Sequence, residues 1–152
     1  MQEKTCCVIG YLEIPPDKLD DVKRELEREI GAALEDGYRT FLTFFEEGTG
    51  MLFARCVNER RGEYPDIFLM SVLHPGHCER FDRDQWELLS KSDGIKGLCE
   101  ECRQDYQLNV TRYFTERSSR VIAVRNGQAD SDTIYAMDYA RTMGRDLRII
   151  EI

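Results

Sequence analysis

Arg120-Val-Ile-Ala-Val-Arg125, followed by Asn126-Gly-Gln-Ala-Asp-Ser-Asp-Thr133 and then Ile134-Tyr-Ala-Met-Asp-Tyr-Ala-Arg-Thr-Met143, decides the fold. The first run is short, apolar and β-branched, as a buried strand requires. The second is a turn-rich loop holding several candidate N-caps. The third has helical composition and is stopped by Gly144, after which Leu147-Arg-Ile-Ile150 reads as a closing strand. A strand that feeds a helix through a small polar loop is the building unit of nucleotide-binding α/β folds. The loop's backbone N–H groups and the helix N-terminus then form a natural anion site.

The same alternation extends upstream. Thr5 to Ile9 forms a strand pattern ending at Gly10. Pro15-Pro16-Asp17 opens a helix with Asp17 as its expected N-cap, and Leu19, Val22, Leu26, Ile30 and Ala33 make its apolar face. Gly37 ends it. Tyr38 to Phe45 is a second strand, Gly48-Thr49-Gly50 a turn, and Met51 to Arg60 a helix. A third strand over Ile67 to Leu73, a helix over Asp84 to Lys91, a strand over Ile95 to Leu98 and a helix over Gln107 to Glu116 complete the series. The expected fold class is α/β, a Rossmann-like three-layer sandwich with a mostly parallel sheet of about six strands, in a single domain over residues 1–152. Ligands of such sheets sit beyond the carboxyl ends of the strands, here the loops at 10–16, 44–50, 74–80, 99–106 and 126–133.

Charge narrows the partners. With 29 acidic against 21 basic residues the chain carries a formal charge of −8, which disfavours broad binding to nucleic acid or to an anionic membrane. No apolar run approaches the roughly 20 residues that span a bilayer. Met1-Gln-Glu-Lys-Thr-Cys-Cys7 leads into a strand with no signal-peptide h-region, so a cytoplasmic location and reduced thiols are expected. Adjacent Cys6 and Cys7 should point to opposite faces of their strand as small buried residues, and Cys56 reads likewise. A homodimer is compatible with the class, though no face announces itself.

Several motifs have two readings. Ser131-Asp132-Thr133 either presents backbone N–H groups and a hydroxyl to a phosphate or simply caps a helix, and Asp130 and Asp132 would repel an anion. Gly48-Thr49-Gly50 shares glycines with a dinucleotide fingerprint but has Phe53 at the third-glycine position, which favours a tight strand-to-helix turn. His74-Pro-Gly-His77-Cys78 and Cys99-Glu-Glu-Cys102 contain residue types that suit tetrahedral zinc. One CxxC lacks the second clear pair, so polar loops with incidental thiols is the simpler reading and no metal is assigned. Glu100 and Glu101 would raise the neighbouring thiols, against a thioredoxin-like role. No Gly-x-Ser-x-Gly elbow or other catalytic set emerges. Arg125, at a strand's carboxyl end, either pairs bidentately with a phosphate or neutralises a nearby acid. Tyr11 either stacks on a base or packs at a strand end.

Tyr113-Phe-Thr-Glu-Arg-Ser-Ser-Arg-Val-Ile-Ala-Val124, followed by Thr133-Ile-Tyr-Ala-Met-Asp-Tyr-Ala140 and the order of elements, resembles the YpsA-like branch of the SLOG superfamily, which is Rossmann-like and related to the Lonely-Guy and DprA-type domains. The likeness runs from Thr5 to Ile150 with a degenerate ligand motif. Where the family has Gly-His-Arg after its first strand, Gly10 is followed by Tyr11 and Leu12. The family's Arg-Asn-Arg appears as Val110-Thr111-Arg112, and its Gly-Gly-Thr as Ser131-Asp132-Thr133. The carboxylate that Lonely-Guy enzymes carry after that helix start is replaced by Ala136.

The resemblance implies a non-catalytic binding or sensor domain for a nucleotide-derived small molecule such as an ADP-ribose-like compound, with no certain cofactor. The expected ligand-binding residues are Gly10, Tyr11, Thr43, Gly48, Gly50, Arg112, Arg125 and Thr133. Two alternatives stand. One is an interaction protein with a vestigial pocket, in which Tyr11, Phe44, Phe45 and Phe53 fill the cleft or build a dimer face. The other is an N-glycosidic, phosphoribohydrolase-like hydrolase.

Overall fold

A computed structural model describes residues 4–10, 14–46, 48–98, 106–126 and 131–152, the side chains of residues 106–108 and 131 excepted. Six strands, β1 (Thr5–Gly10), β2 (Thr40–Phe44), β3 (Phe68–Leu73), β4 (Gly94–Gly97), β5 (Arg120–Arg125) and β6 (Asp146–Glu151), form one sheet in the order β4-β3-β2-β1-β5-β6. Every pairing is parallel. The chain steps outward from β1 to β4, then returns to pair β5 on the other side of β1. The topological switch point therefore lies between β1 and β5, where Gly10 is opposite Val124.

Among the described residues, five α-helices connect the strands: α1 (Leu19–Glu35), α2 (Thr49–Glu59), α3 (Arg83–Ser90), α4 (Tyr106–Arg117) and α5 (Ser131–Thr142). The strand alternation divides two cores. Val22, Leu26 and Ile30 of α1, Phe53 and Val57 of α2, and Leu88 of α3 pack with Cys6, Val8, Phe41 and Ile122 on one face. Val110 and Phe114 of α4 and Ala140 of α5 pack with Cys7, Leu42, Val72 and Val121 on the other. Cys6 and Cys7 are both fully buried on opposite faces, as a period of two demands. Right-handed crossovers account for the grouping, since a change of direction in the sheet moves the following helices to the other face.

Local departures from expectation have identifiable causes. Asp17 is not the N-cap of α1: Pro16–Lys18 form a 3-10 turn, Lys18 occupies the cap position, and no side chain caps the helix. The two prolines fix a tight entry, which draws Asp17 into the turn itself. Leu19 is 45% exposed and leaves the apolar face to Val22, Leu26, Ile30 and Ala33. Gly37 (φ 94°) does end α1 in a left-handed conformation. Helix α3 has a full capping box, with Asp82 accepting from the Gln85 backbone and Gln85 accepting from the Asp82 backbone. Among the described residues, no helix is long and apolar enough to cross a membrane.

Candidate functional site

Backbone hydrogen bonds, two glycines and one threonine build the turn from β2 into α2. Phe45 N–H donates to the Val72 carbonyl at 2.7 Å and Met51 N–H to the Glu46 carbonyl at 3.1 Å, closing the chain back over the strand end. Gly48 takes φ 91° as the N-cap of α2, a conformation open to glycine at no steric cost. At Gly50 a Cβ would stand 1.7 Å from the Phe44 carbonyl oxygen, so no other residue fits unless the helix moves. Thr43 Oγ1 donates to the Gly50 carbonyl at 2.7 Å and fixes that approach. Gly48-Thr49-Gly50 is thus the tight strand-to-helix turn that the sequence favoured.

This turn lies beside the end of β1. A Cβ on Gly10 would meet Val124 Cβ at 2.9 Å and Thr49 Cγ2 at 3.0 Å. Between them is a cavity of about 40 Å3 lined by Val8, Ile9, Gly10, Phe44, Thr49, Gly50, Val110, Thr111 and Phe114. Its walls come from β1, the end of β2, the start of α2 and the inward face of α4. Thr49 and Thr111, both more than nine-tenths buried, are the polar side chains among the largely apolar lining residues. Phe44 lines this cavity. Phe45 and Phe53 are fully buried in the core under α1–α3 and are not among the lining residues.

The expected ligand residues divide into two groups. Gly10 and Gly50 line the cavity, while Thr43 and Gly48 shape the turn that forms one wall. Arg112 and Arg125 are not among the lining residues. Arg125 is paired with Glu151 on β6, its Nε 3.2 Å from the carboxylate and its Nη2 closer still. Arg112 is exposed on α4, held up in pKa first by a hydrogen bond to Tyr135 of α5. Helical periodicity explains the shift: Val110, Thr111 and Phe114 share the inward face, so Arg112 points away. Thr133 is buried in the first turn of α5 and also does not line the cavity. Tyr11, Glu100 and Glu101 lie outside the described residues. Ala136 is fully buried.

The histidine loop forms a structured 3-10 turn over Pro75–Arg80. His74 Nδ1 accepts from Gly76 N–H at 3.0 Å, so in the neutral ring its proton is on Nε2. His77 stacks on His74 with ring centroids 4.4 Å apart and pairs through Nδ1 with the Glu46 carboxylate. Stacked rings have parallel, not convergent, lone pairs, and the His74 tautomer withholds one. Among the described residues, no group of three or more His, Cys, Asp and Glu could hold a metal ion. Cys99 and Cys102 lie outside them.

A wider groove of about 680 Å3 opens between α2 and α3, lined mainly by charged side chains. It lies toward the amino ends of β3 and β4, where Arg61 is held by Asp93 at 2.7 Å, and takes no part in the switch point. Val8, Ile9, Phe44 and Thr49 line the cavity without having been expected among the ligand residues, as do Val110, Thr111 and Phe114 of α4. Their inward-facing positions on α4 were legible as helical spacing, but which strand ends α4 covers depends on strand order.

No protein-family model matches the sequence. UPF0398 proteins of Bacillus thuringiensis (strain Al Hakam) and Bacillus cereus (strain AH187) are 22% identical over 144 residues, covering 90% of this chain and 78% of theirs. The X-ray structure of TM1055, a Northeast Structural Genomics Consortium target, superposes with a TM-score of 0.62 at 16% identity, covering 95% of this chain and 72% of that one. At that identity the likeness carries the fold alone: this chain is similar to TM1055 in having a Rossmann-like α/β architecture, a six-stranded parallel sheet with helices on both faces.

Proposed function

We propose that the chain is a non-catalytic binding or sensor domain of the YpsA-like SLOG kind, and that the cavity beside Gly10 receives the end group of a nucleotide-derived small molecule. The observation that carries this reading is the cavity's position, at the carboxyl end of β1 next to the switch point, where open α/β sheets hold their ligands. Gly10 and Gly50 keep the backbone close to that space. The similarity to UPF0398 proteins is consistent with the family expectation. The rest of such a ligand would extend over the rim, because ligand sites usually enclose roughly 300–1,000 Å3.

The small volume also supports a second reading, an interaction protein whose pocket is vestigial. Phe44 and Phe114 occupy wall positions that a nucleotide-sized site would leave open.

Thermal unfolding with a panel of nucleotides, ADP-ribose and NAD separates the two. A compound at ~100 times its Kd stabilises by about 2.7 kcal/mol. A selective upward shift that Thr111→Phe abolishes, in a variant still cooperatively folded, supports the binding domain. A flat response across the panel supports the vestigial pocket.

A further inference from the structure

We infer that the cavity beside Gly10 takes an uncharged hydroxyl- or amide-bearing end of its ligand, such as the base or sugar edge of a nucleoside, and not a phosphate; this rests on the binding reading above. Among the described residues, no Arg, Lys or His lines the cavity. The two arginines expected to meet an anion are engaged elsewhere, Arg125 with Glu151 and Arg112 with Tyr135.

The start of α2 is partly closed to phosphate. Met51 N–H, one of its first-turn donors, is already taken by the Glu46 carbonyl at 3.1 Å. Gly50 is wedged against the Phe44 carbonyl. The Glu46 carboxylate, paired with His77, stands immediately before the helix and opposes a second negative charge. Burying a phosphate here would strip its water without returning charge-assisted hydrogen bonds.

A neutral end meets the opposite conditions. Val8, Ile9, Phe44 and Phe114 offer apolar contact, and Thr111, whose side chain carries one hydroxyl able to donate or accept, is among the lining residues. A volume of about 40 Å3 exceeds the ~10–15 Å3 that a single water needs, enough for a group of a few heavy atoms. Gly10 and Gly50 let β1, β2 and α2 pack closely around that space.

The test is calorimetric titration of the full chain with matched pairs: adenosine and AMP, guanosine and GMP, uridine and UMP, cytidine and CMP, and nicotinamide riboside and its mononucleotide. ADP-ribose and inorganic phosphate complete the set. In the pair that binds, removing the phosphate is expected to change Kd by less than about threefold, and excess inorganic phosphate is expected not to compete. Thr111→Val should weaken the nucleoside by about three- to tenfold, the share of one neutral hydrogen bond, while Thr111→Ser retains it. A nucleoside more than about tenfold weaker than its nucleotide, or displacement by inorganic phosphate, overturns the inference and leaves the binding reading standing. No heat and no thermal shift with any member, phosphorylated or not, overturns both.

Discussion

Gly50 lies so close under the end of β2 that the Phe44 carbonyl oxygen occupies the place where a Cβ would be, 1.7 Å away. The contact joins the last residue of a central strand to the first turn of the helix that walls the cavity. Gly50→Ala must push α2 off β2, since the opposing atom is backbone and cannot rotate aside. A loss of about 2–4 kcal/mol is expected in urea unfolding. Thr43→Val keeps the shape but removes the 2.7 Å hydrogen bond to the Gly50 carbonyl, at a cost of about 0.5–1.5 kcal/mol, the net worth of one such bond. Equal stability of wild type and Gly50→Ala would contradict this packing.

Arg120 ties three elements together at the amino edge of the sheet. It is 4% exposed, donates to Asp36 at 2.7 Å and Asp146 at 2.9 Å, and lies 4.6 Å over the Tyr38 ring. Arg120→Met leaves both carboxylates partly hydrated, so the loss should be about 1–3 kcal/mol, below the ~3–5 kcal/mol of a fully buried pair that is broken. Arg120→Lys should recover only part of it, because an ammonium cannot span both acids in a plane.

Acid should weaken the fold through the same cluster. A hydrogen bond from Arg148, opposed by burial and then aided by Arg120, holds the Asp146 carboxyl below the usual carboxylate range. A depressed folded value means the contribution is present above the unfolded pKa of about 3.9 and disappears as pH falls through the lower folded value. Asp146→Asn should therefore flatten the stability curve on the acid side of about pH 4. An unchanged slope in that variant, measured by denaturant unfolding across the acid range, would sink the assignment.

The thiols should separate sharply in reactivity. Burial pushes Cys7 up to about 12, and burial first, then Glu27 and Glu59, does the same for Cys56. Burial likewise raises Cys6 well above the usual thiol range. Cys78 is only half-buried. Alkylation of the native protein followed by peptide mass mapping should label Cys78 first among these four, with Cys6, Cys7 and Cys56 labelled only on unfolding. Early labelling of Cys7 would contradict the parallel central sheet.

Arg112 supplies a further check. Because it lies on the outer face of α4 against Tyr135, Arg112→Ala should change stability by less than about 1 kcal/mol and leave binding of any compound in the panel unaltered. Loss of binding in that variant would place the ligand on the outer face of α4 instead.

The succession of elements was legible in the chain because it depends on local periodicity. Arg120–Arg125 occupies the expected strand, the β-branched run being buried on both faces, and Gly37 and Gly144 stop helices with φ of 94° and 72°. Cys6 and Cys7 could be assigned to opposite cores from alternation alone. Glycines at 10, 48 and 50 marked the turns around the cavity, because a close backbone approach leaves a mark in residue type. Strand order left no such mark: nothing local says that β5 returns to pair with β1. That long-range pairing sets α4 over the end of β1, brings Val110, Thr111 and Phe114 to the cavity, and turns Arg112 away. It also places Glu151 beside Arg125, since β6 pairs with β5 in parallel register. Sequence thus determined the elements and the turn chemistry, while the tertiary structure alone decided which polar groups reach the cavity and which are spent on ion pairs elsewhere, because contacts between distant segments depend on how the strands are ordered in space.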